Sequence, residues 1–266
     1  DEADFVSCSK QAYVHQYDLL RGLKQGGVFL LNCTWAKEEL EDHLPGQMKR
    51  YLAENNIQFY IINASKLAQD IGLGNRTNMI IQSAFFKLSG VLPIEEAVAH
   101  LKDSIVKAYG HKGDDVVNMN NKAVDAGIEA LERVDIPSTW ATAEDETVDL
   151  SGTPEFFKKV VRPMLRNEGD DLPVSAFVGR EDGHWDAGTS EYEKRGIALY
   201  VPEWQIDNCI QCNQCSYVCP HAVIRPFLLN EEEQKNAPEG FVSKKAIGKD
   251  MEGLNFRILV SQLDCT

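Results

Sequence analysis

Four cysteines at positions 209, 212, 215 and 219, followed directly by Pro220, constrain this chain more than any other feature in it. Thiols spaced this closely bridge to one another, grip an ion or hold a cluster. Adjacent short loops make poor disulfides, and no secretion signal accompanies them. Zinc sites do use C-x2-C pairs, but their pairs usually stand about a dozen or more residues apart instead of overlapping. The spacing C-x2-C-x2-C-x3-C-P is that of an iron–sulfur run. A tight turn sets the first three sulfurs on three corners of one [4Fe–4S] cube and aims the fourth at a different cube. Cys209, Cys212 and Cys215 are therefore the metal-ligand candidates for one cluster, and Cys219 for a second.

A pair of cubes arranged as in bacterial two-cluster ferredoxins needs a second run of cysteines. The chain ends FRILVSQLDCT, and its last four residues, Leu263 to Thr266, line up with Asp207, Asn208, Cys209 and Ile210. Cys265 is expected to be the first ligand of that second run, interrupted one residue later. The chain would then offer three ligands to one cube and at most two to the other. Alone, it should bind clusters poorly. Its C-terminal segment should be loosely ordered or held by neighbours, with Trp204, Val223, Ile224 and Phe227 as its main apolar groups. Between Cys219 and Cys265 lies an insert of 45 residues, including EEEQKNAPEG. It is longer than a minimal module needs and suggests one embedded in something larger.

A net charge of −14 argues against a nucleic-acid partner. The 43% hydrophobic content is that of a globular chain, and no apolar run reaches membrane-spanning length. Clustered thiols without a signal peptide point to a reducing, cytoplasmic setting. The start, DEADFVSC, has no initiator Met, so the chain is expected to be trimmed at both ends.

Residues 1–134 alternate strand-like and helix-like patterns, the signature of an open α/β sheet. Strands are expected at 4–8, 28–33 and 57–62. The run VFLLNC is continuously apolar, as in a buried parallel strand, so 28–33 and 57–62 should be parallel neighbours. Helices are expected at 17–23 (ended by Gly26 and Gly27), 37–42, 47–55 after Pro45, 79–88, 94–109 and 114–134. A sheet followed only by helices suggests further strands upstream of this chain. Residues 135–152 are polar and acidic and suggest a linker. A short helix is expected at 155–165. Residues 166–202 have little periodicity.

Two further stretches have site-like patterns. Gly72-Leu73-Gly74 lacks the third glycine and the preceding strand of a dinucleotide fingerprint. The same turn puts Asn75 and Arg76 before a helix, where amide N–H groups and a guanidinium suit a phosphate. A simple pair of caps, glycine ending one helix and asparagine starting the next, is the more commonplace account of it. Gly113-Asp114-Asp115 and Asn120-Asn121 are too close together for a thiamine-diphosphate motif and suggest a helix start. The six histidines have no ligand spacing, and Cys33 is expected as a small buried hydrophobe.

Taken together, ADFVSCSKQAYVHQYDLL, GGVFLLNCTW, IQFYIINASKLAQDIGLGNRTNMIIQSAFFKLSG, VNMNNKAVDAGI and EYEKRGIALYVPEWQIDNCIQCNQCSYVCPHAVIRPF resemble the pyruvate:ferredoxin (flavodoxin) oxidoreductases over nearly the whole chain. The resemblance implies an incomplete gamma-type α/β domain at 1–134 and a linker with the EKR domain (named for Glu193-Lys194-Arg195) at 135–202. It implies a partial α+β two-cluster ferredoxin-like domain at 203–266. It also implies an enzyme that converts pyruvate and coenzyme A to acetyl-CoA and CO2, using thiamine diphosphate and Mg2+. Electrons would pass through [4Fe–4S] clusters to ferredoxin or flavodoxin. A homodimer is implied at full length, with this segment inactive alone. The gamma-type domain is tied to coenzyme A in that family, which makes Arg76 and Asn78 the candidate phosphate contacts. The alternatives are a free-standing two-cluster electron carrier fused to an α/β domain, against which the unfinished second run counts, and a non-catalytic interaction fragment.

Overall fold

Alternation along two strands organises the first part of the chain. In the computed structural model, which describes residues 2–266, β1 (Ala3–Cys8), β2 (Leu23–Asn32), β3 (Gln58–Ile62) and β4 (Glu132–Val134) form one sheet in that order. The β1–β2 and β2–β3 pairs are parallel, with Val28 beside Gln58 and Asn32 beside Ile62. Successive side chains leave opposite faces of a strand. Phe29, Leu31, Phe59 and Ile61 therefore enter one hydrophobic cluster, and Leu30 and Ile62 another. Burial on both faces explains why Val28 to Leu31 carry no polar break before the buried, hydrogen-bonded Asn32.

Helices cover both faces. α1 (Leu40–His43) and α2 (Gly46–Glu54) add Leu40, Met48 and Leu52 to the first cluster. α3 (Ala64–Ile71), α4 (Asn78–Ser89) and α6 (Asp114–Glu129) supply Ala68, Ile80, Ala84 and Ala123 to the second. α5 (Ile94–Tyr109) packs on α4 and α6. Strands at 4–8, 28–33 and 57–62, the parallel pairing of the last two, and the helices at 47–55, 79–88 and 94–109 lie where their periodicity puts them; 37–42 is a 3-10 turn running into α1, and α3 was not among the expected helices.

Two expectations fail. Residues 17–23 are not a helix: a 3-10 turn at Gln11–His15 gives way to turns, and Gly22 has φ +81°. Leu20 and Leu23 are buried, so their spacing records burial of a turn. Gly26 and Gly27 do not end a helix but lie inside β2, where the register with β1 shifts between Ala3 and Phe5. Gly26 has φ +73°, and a Cβ on Gly27 would stand 2.8 Å from the Lys24 carbonyl oxygen. The second failure is at 114–134. α6 stops at Glu129, and β4 follows as an antiparallel edge with Val134 opposite Phe59. A three-residue strand is too short to interrupt a helical pattern visibly, so the sheet is not followed by helices alone.

The acidic stretch after β4 is in part laid down on this same unit. Trp140 is 2% exposed and joins the first cluster, its indole N–H donating to Glu41. Arg50 forks onto both oxygens of Asp145 at 2.8 Å. A helix follows at 155–165, as its pattern predicts, with a π turn leading into α7 (Arg162–Leu165). Arg180 lies 3.6 Å over the Phe156 ring.

A second unit runs from Ala187 to Thr266, the first ending at Asp186. It contains α8 (Gln214–Val218), β5 (Ile224–Leu229), α9 (Glu231–Lys235), β6 (Lys244–Lys245) and β7 (Asn255–Val260). The strands form an antiparallel sheet in the order β5-β7-β6. Central β7 supplies the buried Phe256 and Ile258, beside Val223, whereas Phe227 on edge strand β5 is 43% exposed. Phe227 is thus not the core residue its chemistry suggests. Among the described residues, no helix is long and apolar enough to cross a membrane.

The closest helix approach gives a test. A Cβ on Gly127 of α6 would lie 2.3 Å from the Ile80 carbonyl oxygen of α4. Gly127→Ala should destabilise the protein by about 1–3 kcal/mol, measured as a lower urea midpoint. Gly110→Ala, with no heavy atom within 4 Å, should leave the midpoint level or slightly raised.

Candidate metal centre

The four clustered cysteines do not share one environment. Cys209, Cys212 and Cys215 line a single cavity of about 330 Å³. Cys219 does not line it. The turn that achieves this is conformationally unusual: Gln211 has φ +60° and Asn213 φ +58°. Asparagine tolerates left-handed backbone, whereas glutamine seldom adopts it. The strained turn points the Gln211 amide at the Cys209 sulfur, 3.4 Å away, the kind of N–H donor a thiolate ligand uses.

The long insert braces this turn. Lys244 on β6 donates to the carbonyl oxygens of Ile206 at 2.8 Å and Cys209 at 2.9 Å. The Gln211 side chain donates to the Lys245 carbonyl at 2.8 Å and accepts from the Ile247 amide at 2.9 Å. The cavity's far wall is Trp204 with Phe256 and Ile258 of β7. Insert and ligand run thus build one site. Neither Gln211 nor Lys244 carries a motif that sequence reasoning could have singled out.

Cys219 lies instead at the end of the β5–β7 ladder. Ile224 pairs with Val260, and the Ser261 amide donates to the Val223 carbonyl at 2.8 Å. Cys219 precedes this closing pair and Cys265 follows it, so both leave the ladder at the same end. The Thr266 hydroxyl is 3.3 Å from the ring nitrogens of His221, which brings the two segments together. Hydrogen bonds from backbone amides, foremost that of Val223, push the Cys219 thiol below its ordinary pKa against a smaller opposing effect of burial.

The EKR triplet ties down the same turn. Lys194 pairs with Asp264 at 2.7 Å, and the Gly196 amide donates to the Leu263 carbonyl at 2.9 Å. The Ser261 hydroxyl also donates to Asp264, at 2.6 Å. Lys194 first, then Ser261, hold the Asp264 carboxyl below the usual range.

The three-thiol cavity suits a [4Fe–4S] cube chemically. Thiols are the ligands such clusters take, and the wall behind them is largely apolar. The rings of Trp204 and Phe256 and the side chain of Ile258 form that apolar lining. Among the described residues no three His, Cys, Asp or Glu side chains converge as one metal ion would require. A cube distributes its ligands over separate irons, so its thiols stand farther apart than those around one ion.

The other candidates are more dispersed. Gly72 caps α3 with φ +94°, as capping chemistry predicts. The cap of α4 is Thr77, not Asn75, and its side chain makes no capping bond. Arg76 is exposed just before it, and Asn78 opens the helix. Gly113 precedes α6, with Asp114 and Asp115 in its first turn. Cys33 is buried and its thiol is pushed up to about 11 by that burial.

Known proteins place this geometry in context. Residues 1–130 match the pyruvate ferredoxin/flavodoxin oxidoreductase family model, and 201–224 match a 4Fe-4S binding domain. The chain is a homologue of one segment of the pyruvate-flavodoxin and pyruvate:ferredoxin oxidoreductases. Residues 142–198 match the EKR model, described as a domain of unknown function. The chain is 56% identical over its full length to a pyruvate-flavodoxin oxidoreductase of Enterobacter agglomerans, covering 22% of that protein. It is 54% identical, again over its full length, to a pyruvate:ferredoxin oxidoreductase of Moorella thermoacetica, covering 23% of it. A mitochondrial pyruvate dehydrogenase [NADP(+)] of Euglena gracilis is 45% identical over 99% of the chain and 15% of that relative. The chain therefore spans less than a quarter of the length of these oxidoreductases.

If Lys194 holds the 262–266 turn, Lys194→Met should speed its amide exchange about threefold. A partly exposed ion pair is worth about 0.2–1 kcal/mol. The β5–β7 ladder amides should keep their protection. Hydrogen exchange read by mass spectrometry would show both.

Proposed function

We propose that this chain is the segment of a 2-oxoacid oxidoreductase that carries part of its electron relay. The observation that carries this is the separation of Cys209, Cys212 and Cys215, in one cavity, from Cys219, which leaves the ladder beside Cys265. One cluster would be held by the first three with a ligand from elsewhere. The second would take Cys219 and Cys265 with others. When bound, such clusters take up and release single electrons. The protein's own part is to hold the thiolates at fixed positions, screen them with Trp204, Phe256 and Ile258, and supply N–H donors such as that of Gln211.

Within the whole protein the reaction would be oxidative decarboxylation of pyruvate with coenzyme A to acetyl-CoA and CO2. Thiamine diphosphate and Mg2+ would be bound by parts of the protein other than those described. Residues 1–134 would act as the gamma-type domain, 135–202 as linker and EKR domain, and 203–266 as the ferredoxin-like domain. The enzyme would be a cytoplasmic homodimer and would pass electrons to ferredoxin or flavodoxin. Relatives named for flavodoxin, ferredoxin and NADP(+) align with nearly all of this same segment. That supports acceptor choice being made by surface residues or by parts of the protein beyond it.

Arg76 and Asn78 would contact coenzyme A phosphates. Thr77 leaves the first-turn amides of α4 without a side-chain cap, and a helix start with open amides and an adjacent guanidinium favours phosphate. In the whole gene product, Arg76→Ala should raise the coenzyme A KM by about tenfold or more, with pyruvate KM nearly unchanged. One charged hydrogen bond is worth about 1.5–3 kcal/mol. An unaltered coenzyme A dependence would leave Arg76 as a turn residue.

The relay assignment has its own test. Cys212→Ser, in the anaerobically purified whole gene product, should lose the iron, sulfide and reduced-state EPR signal of a single cube. Full retention of iron and sulfide would refute the assignment.

A further inference from the structure

Lys244 is an anomaly in so acidic a chain. Its ammonium is part-buried, and its partners are two backbone carbonyl oxygens, that of Ile206 at 2.8 Å and that of Cys209 at 2.9 Å. The chain carries a net charge of −14, yet among the described residues no carboxylate pairs with this lysine. Carbonyl oxygens satisfy its hydrogens but leave its charge uncancelled. Drawing a charge even partly out of water is costly unless an opposite charge lies near. The residues lining the three-thiol cavity include no Asp, Glu, His, Lys or Arg, so the opposite charge is to be sought in the thiols themselves and in what they hold. Lys244 is fixed from behind, paired across the ladder with Phe256, which is 5% exposed and lines that cavity. Covalent geometry keeps a cysteine sulfur within about 5 Å of its own carbonyl oxygen. With the 2.9 Å bond to the Cys209 carbonyl, the ammonium is within about 8 Å of the Cys209 sulfur.

We propose that the Lys244 ammonium is the counter-charge to the cluster held by Cys209, Cys212 and Cys215, and that it raises that cluster's reduction potential. This rests on the cluster assignment proposed above. It needs no bond from lysine to the cluster, because the charge acts through space. One electron enters on reduction, no bond forms or breaks, and the lysine keeps its proton. A [4Fe–4S] core with its thiolates is net negative before that electron arrives and one charge more negative after it. A fixed cation nearby therefore stabilises the reduced state more than the oxidised one. Net charge is among the features that set such potentials, and partial burial limits screening of the ammonium by salt. The same side chain also braces the cysteine turn. As a brace it is replaceable by any N–H donor of similar reach; as a counter-charge it is replaceable only by another cation.

The test uses the anaerobically purified whole gene product. Lys244→Gln keeps an N–H donor for the carbonyls and removes the charge, whereas Lys244→Arg keeps both. Both variants should retain their iron and sulfide. In an EPR-monitored redox titration of the Gln variant, the reduction equilibrium of one cluster should fall about tenfold, the size expected of a unit charge at this range. That is about 59 mV more negative for one electron. The Arg variant should titrate close to the parent. Lys245 is the exposed neighbour on the same strand, and Lys245→Met should leave the potential close to the parent's. An unchanged potential in the Gln variant at full iron content overturns the proposal, as does an Arg variant or a Lys245→Met variant shifted as far as the Gln one. If the Gln variant loses its iron, an Arg variant that keeps it supports the counter-charge, and one that loses it too overturns it. The ligand assignment fails separately, and takes this proposal with it, if Cys212→Ser retains all its iron and sulfide.

Discussion

The parallel pairing of β2 with β3 is the contact on which the first unit depends. Each strand buries both faces, so Phe29 and Leu31 define one hydrophobic cluster while Leu30 helps define the other. Helices α1 to α6 are each placed by one of these clusters or by a helix that is. Asn32, at the end of β2, joins the two sides. Its side chain donates to the Ser9 carbonyl at 3.0 Å and accepts from the Ala64 amide, the first of α3, at 2.9 Å. A buried amide with both ends satisfied fixes the strand end more narrowly than apolar packing alone.

The second unit is organised differently. Its hydrophobic core is small, and much of its order comes from polar braces: Lys244 on the carbonyls of the cysteine turn, Gln211 on the β6 backbone, and Lys194 on Asp264. These bonds converge on the two places where cysteines stand. A module that must present sulfur at fixed positions gains from hydrogen bonds, which are directional, where a larger core would fix only volume.

How much of this was legible depended on length. β2, β3, α4 and α5 announce themselves because each is long enough to show a period. Residues 17–23 misled because Leu20 and Leu23 are buried from a turn at a spacing a helix would also use, and nothing in the local sequence outweighs that until Gly22 has left the helical region. β4 was invisible because three residues carry no period, and its existence depends on the free edge of β3. At the candidate metal centre the clustered cysteines were plain and their supports were not. Cysteine spacing reflects a covalent requirement, whereas the roles of Trp204, Gln211 and Lys244 arise from contacts between segments about 35–50 residues apart.

The antiparallel ladder of β5 and β7 separates distance along the chain from distance in space. The two strands zip the insert shut at its base, with Ile224 against Val260, and between them only the stretch around α9 and 237–243 lies away from the part that β6 folds back onto the cysteine turn. Residues can be added or removed at the far tip, around α9 and the 237–243 segment, without moving either cysteine end. Lengthening such a loop adds only logarithmically to its entropic cost. The 45 residues between Cys219 and Cys265 are therefore a place where such a chain could acquire or shed surface while leaving the spacing of its cysteines alone.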